Sequence, residues 1–457
     1  MNIDRIISDP AEIRRATRLL SSPGNLSENP EFNTLADAIL QAAIRLEHVK
    51  PAIRRQLIPL AVRYIHRVWG LEAVLSFVKD KISAGVPARD LTLHALAACR
   101  REAQYDRALS YFENLTNVPA PDSYTLLLLG QSLAALGEFD QLAVQSRRAR
   151  HILETTPWLV EQWSRLAVDN LVLGEARRWI QQIPLDSPVR NALVDRLESF
   201  ESGEDEVSCP IRTEVISLHR DDRKWDIARR SLGLGGYSPH RFKATDGRDL
   251  PFYALRELGS DSDVTSIHGA GAIATALSHI RVLEDFLSKK DEHLLVLEDD
   301  AAPFMHWSAF QETLERLDAD FVFLNERVSR QYGSPQLATQ GFTSPWEILG
   351  IRDERLNGIG LDAYLVSRSG AEKVLDFVAI DKIRAHIDAQ FVAYGIADNS
   401  SPAVSRGQSV ISRLRAGLPS QSALTESLSC ICLDRPMFWA NNHGASDTNS
   451  VSMERRQ

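Results

Sequence analysis

The periodicity of this chain changes once, and that change limits its architecture more than any other feature. Through residues 1–200, Leu, Ala and Arg recur at helical spacing, broken at Ser22-Pro23-Gly24, Ala84-Gly85-Val86-Pro87, Pro119-Ala120-Pro121-Asp122 and Thr156-Pro157. A polar, acidic stretch from Glu201 to Glu206 follows, within a linker read over 201–211. Beyond it, short apolar runs alternate with helical segments. Val215-Ile216-Ser217-Leu218, His293–Leu297, Phe321–Leu324 and Ala363–Val366 have strand length. Charged or amphipathic helices are expected around Asp222–Leu232, over Ala276–Ser288 and after Ser369. The expectation is a multidomain chain: an all-α region over 1–200, then an α/β domain over 212–400 with a largely parallel sheet. Residues 401–457, richer in Ser, Pro, Arg and Asn, are expected to form a partly irregular extension.

The helical half carries internal similarity. Gln104-Tyr105-Asp106-Arg107-Ala108-Leu109 aligns with Glu138-Phe139-Asp140-Gln141-Leu142-Ala143 at an offset of 34 residues, and Leu71-Glu72-Ala73-Val74 lies one period earlier. Gly174-Glu175-Ala176 resembles a further, slipped turn, and Leu129-Gly130 offers a small residue where stacked helices approach. A 34-residue period is that of the tetratricopeptide repeat, whose helix pairs bury a core that one pair cannot. A non-repetitive helical bundle is the alternative. In either case this half reads as a scaffold or a surface for a protein partner.

Composition sets outer limits. The 457 residues are 44% hydrophobic and 25% charged, as in ordinary globular proteins, and extensive disorder is not expected. No window approaches eighteen uninterrupted apolar residues, and Asp4, Arg5, Arg14 and Arg15 interrupt the first turns. Four cysteines are too few to staple a secreted fold. These features suggest a cytoplasmic protein without a transmembrane segment, with peripheral attachment to the cytoplasmic face of a membrane still open. Residues 1–200 carry 24 basic and 23 acidic side chains, whereas residues 201–457 carry 28 and 38. An acidic second half is a poor partner for a phosphate backbone, which argues against nucleic acid. It is compatible with an anionic ligand bridged by a cation.

The best-motivated chemistry lies at Leu294-Leu295-Val296-Leu297-Glu298-Asp299-Asp300, an apolar strand ending in three carboxylates. Ligands bind at the C-terminal edge of parallel strands, and hard divalent cations such as Mg²⁺ or Mn²⁺ take oxygen ligands. Glu298 and Asp300 would share a side if the strand persisted. A solvated acidic turn is the bland alternative. Gly269–Ala274 superficially matches a dinucleotide fingerprint but follows the polar stretch Gly259–Ser266 rather than a strand, so it is read as opening the helix that carries Ser278-His279. Cys430-Ile431-Cys432 with His443 lacks zinc spacing, and no nucleophile elbow or Walker loop is present.

Taken in order, the second half resembles glycosyltransferase family 25, which includes lipopolysaccharide-assembly enzymes and procollagen galactosyltransferases. The resemblance runs over about 180 residues. Its blocks are Val215–Arg220 with Arg223, Ala244-Thr245-Asp246-Gly247, Ala276-Leu277-Ser278-His279, Val296–Asp300, Gly360 with Ala363–Ser367 and Gly370-Ala371-Glu372, and Ile387-Asp388. Asp362 stands where the family more often has a small or hydroxyl residue. The resemblance implies a GT-A-type nucleotide-sugar fold and transfer of galactose or glucose from a UDP-sugar to a glycan or lipid-linked saccharide. On that reading Glu298 and Asp300 hold the metal on the diphosphate, and Asp299 lies near the ribose or sugar. Arg220, Arg223, Asp246 and Ser278 help to bind the donor. Asp388 is the first candidate for the catalytic base and Asp362 the second, and His279 either binds phosphate or braces the acidic loop. An inert nucleotide-sugar-binding or interaction protein is the alternative.

Overall fold

The structure is a computed structural model. It describes residues 39, 43–44, 46–48, 51–102, 104–116, 123–203, 208–250, 269–316, 318–325, 341–351, 360–396, 402–423 and 428–440. The breaks expected at residues 22–24 and 119–122, the 259–266 stretch, residues 204–206 of the acidic stretch, and His443 lie outside them. The chain divides into two compact units, Met1–Leu166 and Ala167–Gln457.

The first unit contains helices α1 (Pro51–Ser83), α2 (Ala88–Arg101), α3 (Tyr105–Thr116), α4 (Ser123–Leu136), α5 (Phe139–Arg148), α6 (Arg150–Thr155) and most of α7 (Pro157–Asp169). Helix α1 is two helices joined at Gly70, whose φ of 76° breaks the helical path and is accessible to glycine without strain. A new helix therefore begins at Leu71, another at Tyr105, another at Phe139, and the next, α8 (Leu173–Ile180), at Leu173. These starts recur every 34 residues; the first two periods hold two helices each, and the third holds α5, α6 and α7. Gly130 serves the packing within this unit: a Cβ there would lie 2.6 Å from the wholly buried Trp163 ring.

The second unit adds α9 (Pro188–Ser202) to α8 and builds a seven-stranded sheet. Its strands are β1 (Arg212–Ser217), β2 (Pro239–Lys243), β3 (His293–Glu298), β5 (Phe321–Phe323), β6 (Phe342–Thr343), β7 (Ala363–Ser367) and β8 (Cys430–Leu433), in the order β2-β1-β3-β7-β5-β8-β6. A separate ribbon pairs β4 (Ala301–Pro303) with β9 (Phe438–Ala440). Strands β2, β1 and β3 are mutually parallel, but β7 runs antiparallel to both of its neighbours and β6 antiparallel to β8. The sheet is mixed, not largely parallel. Ala363–Val366 is buried on both faces, so its continuous apolar run carries no sign of its direction.

Alternation along the strands makes two cores. Leu294, Val296, Tyr364 and Val366 face one core with α11 (Gly269–Leu287), α14 (Arg368–Asp381) and α15 (Ile387–Tyr394). Val215, Leu295, Leu297 and Leu365 face the other with α10 (Asp222–Leu234) and the turn around Trp307, which leads into α12 (Gln311–Glu315); α13 (Pro345–Ile351) follows β6. The stretch beyond residue 400, expected as an extension, contributes α16 (Arg406–Ala416), α17 (Ser420–Ala423) and strands β8 and β9. Strand β8 sits inside the sheet between β5 and β6. Four-residue apolar runs among Ser, Pro and Arg were too short to be read as strands without their partners. Residues 441–457 lie outside the described chain. No described helix is long and apolar enough to cross a membrane.

Candidate functional site: a carboxylate cluster where the sheet changes direction

After β1 the chain builds β2 on one side and then returns through α11 to build β3 on the other side of β1. The C-terminal ends of β1 and β3 therefore lie side by side at a topological switch point, where open α/β sheets bind ligands. The three carboxylates seen in the sequence fall there.

Strand β3 ends at Glu298, and the chain turns through Asp299 and Asp300 into β4. The strand does not persist to Asp300, so strand alternation cannot bring Glu298 and Asp300 together; the turn does. The antiparallel register sets Leu297 against Ala363, and the next step places Glu298 against Asp362, with Glu298 N donating to Asp362 O at 2.9 Å. One carboxylate oxygen from each of Glu298, Asp300 and Asp362 lies within 4.8 Å of the others. Like charges directly opposite across a sheet oppose folding. A cluster of this kind is eased by a hard divalent cation, for which three oxygens and nearby water or phosphate are a suitable ligand set. The donor chemistry therefore fits Mg²⁺ or Mn²⁺, although exposed acidic groups are common without one. Asp362, which the sequence offered as a second candidate base, lies within this cluster.

Helix α11 connects the loops around this cluster. Ser278 Oγ accepts from Thr245 N at 2.8 Å and donates to Ala274 O, which ties the Ala244-Thr245-Asp246-Gly247 turn to the helix. That turn sits so close to the start of α11 that a Cβ on Gly247 would lie 2.8 Å from Ala270 O. Ser278 is thus buried, with its hydroxyl in two bonds to backbone. His279, next along the helix, is wholly buried; its Nε2 lies 3.2 Å from Glu298 Oε1 and its Nδ1 3.1 Å from the Tyr364 hydroxyl. Both ring nitrogens are engaged, and through Nε2 His279 braces the acidic turn.

Tyr364 was not singled out in the sequence. Burial, then the negative charges of Glu298 and Asp388, push its hydroxyl well above the ordinary tyrosine range, so it stays protonated. Asp388 lies in the first turn of α15, where a carboxylate is favoured by the helix dipole. Its Oδ1 is 3.2 Å from His386 Nδ1, but poorly aligned for a hydrogen bond. Asp388 stays outside the three-carboxylate cluster, yet near enough for its charge to act on Tyr364.

The other expected residues line the neighbouring loops. Arg220 Nε stands 3.2 Å from Asp246 Oδ2, joining the loop after β1 to the turn after β2, and Arg248 pairs with the same carboxylate. Arg223 is exposed in the first turn of α10, and Asp299 is half-buried in the acidic turn. Ser217, the last residue of β1, is almost wholly buried, and its Oγ has no hydrogen-bond partner among the described residues. Cys430 and Cys432 are buried in β8, neither in a disulfide, and burial pushes the Cys430 thiol up, away from metal-binding thiolate chemistry.

No protein-family model matches the chain, and no curated protein matches it.

Proposed function

We propose that the chain is a divalent-metal-dependent glycosyltransferase that moves a hexose, galactose or glucose, from a UDP-sugar to a saccharide acceptor. One observation carries this reading: Glu298 and Asp362 oppose each other across β3 and β7, with Asp300 beside them, at the switch point of the sheet. The same placement supports a GT-A-type nucleotide-sugar fold for residues 212 onward, with the β8 region included.

On this reading Glu298, Asp300 and Asp362 hold Mn²⁺ or Mg²⁺ against the diphosphate, and Asp299 faces the ribose or sugar. The cation, when bound, offsets the charge that develops on the UDP leaving group. Arg223 and the Arg220–Asp246 pair line the donor side. Asp388 takes the proton from the acceptor hydroxyl as its oxygen bonds to the anomeric carbon and the bond from that carbon to UDP breaks. Its separation from the ligand cluster suits a base on the acceptor side. The acceptor is a glycan or lipid-linked saccharide of lipopolysaccharide or surface-glycan assembly, met at the cytoplasmic face of a membrane. The 34-residue helical repeats, tetratricopeptide-like in period, hold a protein partner or a protein acceptor.

The test is UDP release by the purified full chain from a panel of UDP-sugars, with and without Mn²⁺. Metal-dependent release from one sugar, abolished in Asp300→Asn, is expected. Nucleotide-sugar binding with no turnover on any glycan acceptor would favour an inert binding protein. Release of pyrophosphate in place of UDP would make the chain a nucleotidyltransferase.

A further inference from the structure

His279 lies in the middle of an otherwise apolar stripe. Ala272, Ala276, Leu283 and Phe286 share its face of α11 at helical spacing, and all are buried. An imidazole in such a stripe costs stability unless both nitrogens are satisfied. They are, by one group at each end: Glu298 Oε1 at Nε2 and the Tyr364 hydroxyl at Nδ1.

For a neutral ring, the chemistry of these two partners sets the hydrogens. An ionised carboxylate only accepts, so the contact with Glu298 requires the hydrogen on Nε2. A neutral ring then offers Nδ1 as a lone pair, and the Tyr364 hydroxyl must donate to it. Tyr364 is itself held: it is wholly buried, and its ring stacks on Phe321 with centroids 4.6 Å apart and planes 18° apart. The chain of contacts thus begins on a ring held by packing and ends on a half-buried carboxylate at the end of β3.

We propose that Tyr364 and His279 form a directed hydrogen-bond chain, Tyr364 O–H to His279 Nδ1 and His279 Nε2–H to Glu298 Oε1, that orients Glu298 as a ligand for the divalent cation. Both are positioning residues. This rests on the metal reading of the preceding subsection. It extends that reading to two buried side chains that never touch substrate, and it predicts one tautomer of one histidine. Outer partners of this kind change metal affinity 10- to 100-fold in known sites.

Two measurements on the metal-free full chain test it. The first is Mn²⁺ titration followed by the paramagnetic resonance of the free ion, comparing the parent chain with Tyr364→Phe. Phe keeps the stacked ring and removes only the hydroxyl, so the fold is retained; Mn²⁺ affinity is expected to fall about 10-fold. The second is ¹⁵N NMR of histidine-labelled chain, with His279→Gln identifying the signal. The His279 ring is expected as the Nε2–H tautomer, with a hydrogen-bonded Nδ1 signal that shifts in Tyr364→Phe. Tight Mn²⁺ binding left unchanged by Tyr364→Phe would overturn the chain while leaving the metal site standing. No Mn²⁺ binding by the parent would remove the metal site and the proposal with it. Hydrogen on Nδ1 would overturn the proposal whatever the titration gave.

Discussion

On the proposed reading, Asp362 is a side chain that serves function against stability. It is almost wholly buried, and it faces Glu298 across two paired strands. A directly opposed like-charge pair costs on the order of 0.2–1 kcal/mol relative to a neutral pair. Asp362→Asn removes one of the two charges at constant shape. The metal-free variant is therefore expected to melt slightly higher than the parent, by about 0.5 kcal/mol in stability, while losing Mn²⁺-dependent UDP release. Calorimetry of the two metal-free chains beside one activity assay checks both halves. A lower melting point would mean that Asp362 is kept as a structural acceptor, and that the cluster is not arranged around a cation. Asp388 behaves differently on this account. Asp388→Asn should leave Mn²⁺ affinity unchanged and remove turnover, because it lies on the proton-accepting side.

Helix α11 is the element that makes a site out of separate loops. Two adjacent residues, Ser278 and His279, hold the turn after β2 and the end of β3, so one helix fixes two strand ends relative to each other. Ser278→Ala leaves the part-buried Thr245 N without its acceptor, at a cost of about 1 kcal/mol for the lost hydrogen bond. Thermal unfolding should show that loss, and UDP-sugar affinity should fall because the Ala244–Gly247 turn loosens. Ser278→Thr, which keeps the hydroxyl, is expected to recover much of both. If the affinity of Ser278→Ala for UDP-sugar matched the parent, the turn after β2 would not belong to the donor site.

What the sequence disclosed at this scale follows from range. The strands at Val215, His293, Phe321 and Ala363, the helix opened by Gly269, and the Ser278-His279 pair were legible because each is a local pattern of apolar residues and breaks. Pairing between β3 and β7 is not local. Nothing near Asp362 or near Glu298 announces that the two would face each other, and the direction of β7 is hidden by its burial on both sides. Tyr364 was hidden for the same reason, since a tyrosine within an apolar strand reads as core until its hydroxyl is seen against His279. Strand β8 was missed because Cys430–Leu433 becomes a strand only through neighbours more than eighty residues away.

At the scale of the whole molecule, the break in periodicity and the break in packing do not coincide. Helical spacing ends near residue 200, but the compact unit that holds the sheet begins at Ala167. The reason lies in α9 and the segment before α8. Arg196 on α9 is buried; it pairs with Asp169 at 2.7 Å, donates to Phe304 O at 2.9 Å, and lies 4.2 Å from the centre of the Phe304 ring. Ser199 Oγ accepts from His306 N, and Arg230 on α10 donates to Asn170 O and Leu171 O. These bonds join α9 and residues 169–171 to the loop after β4 and to α10, on the side of the sheet away from α11. Helix α9 should therefore unfold with the sheet rather than with the helical repeats that precede it in sequence. Hydrogen exchange on the full chain tests this directly: amides of α9 are expected to share the protection of β1 and β3, and not that of α2–α5. Arg196→Met keeps apolar bulk but strands Asp169 and the Phe304 carbonyl, a loss of about 3 kcal/mol for a buried pair broken on one side. Protection should then fall together in α9 and the sheet, with α2–α5 unchanged. Exchange of α9 in step with α2–α5 would place the boundary back near residue 200, where the periodicity alone had put it.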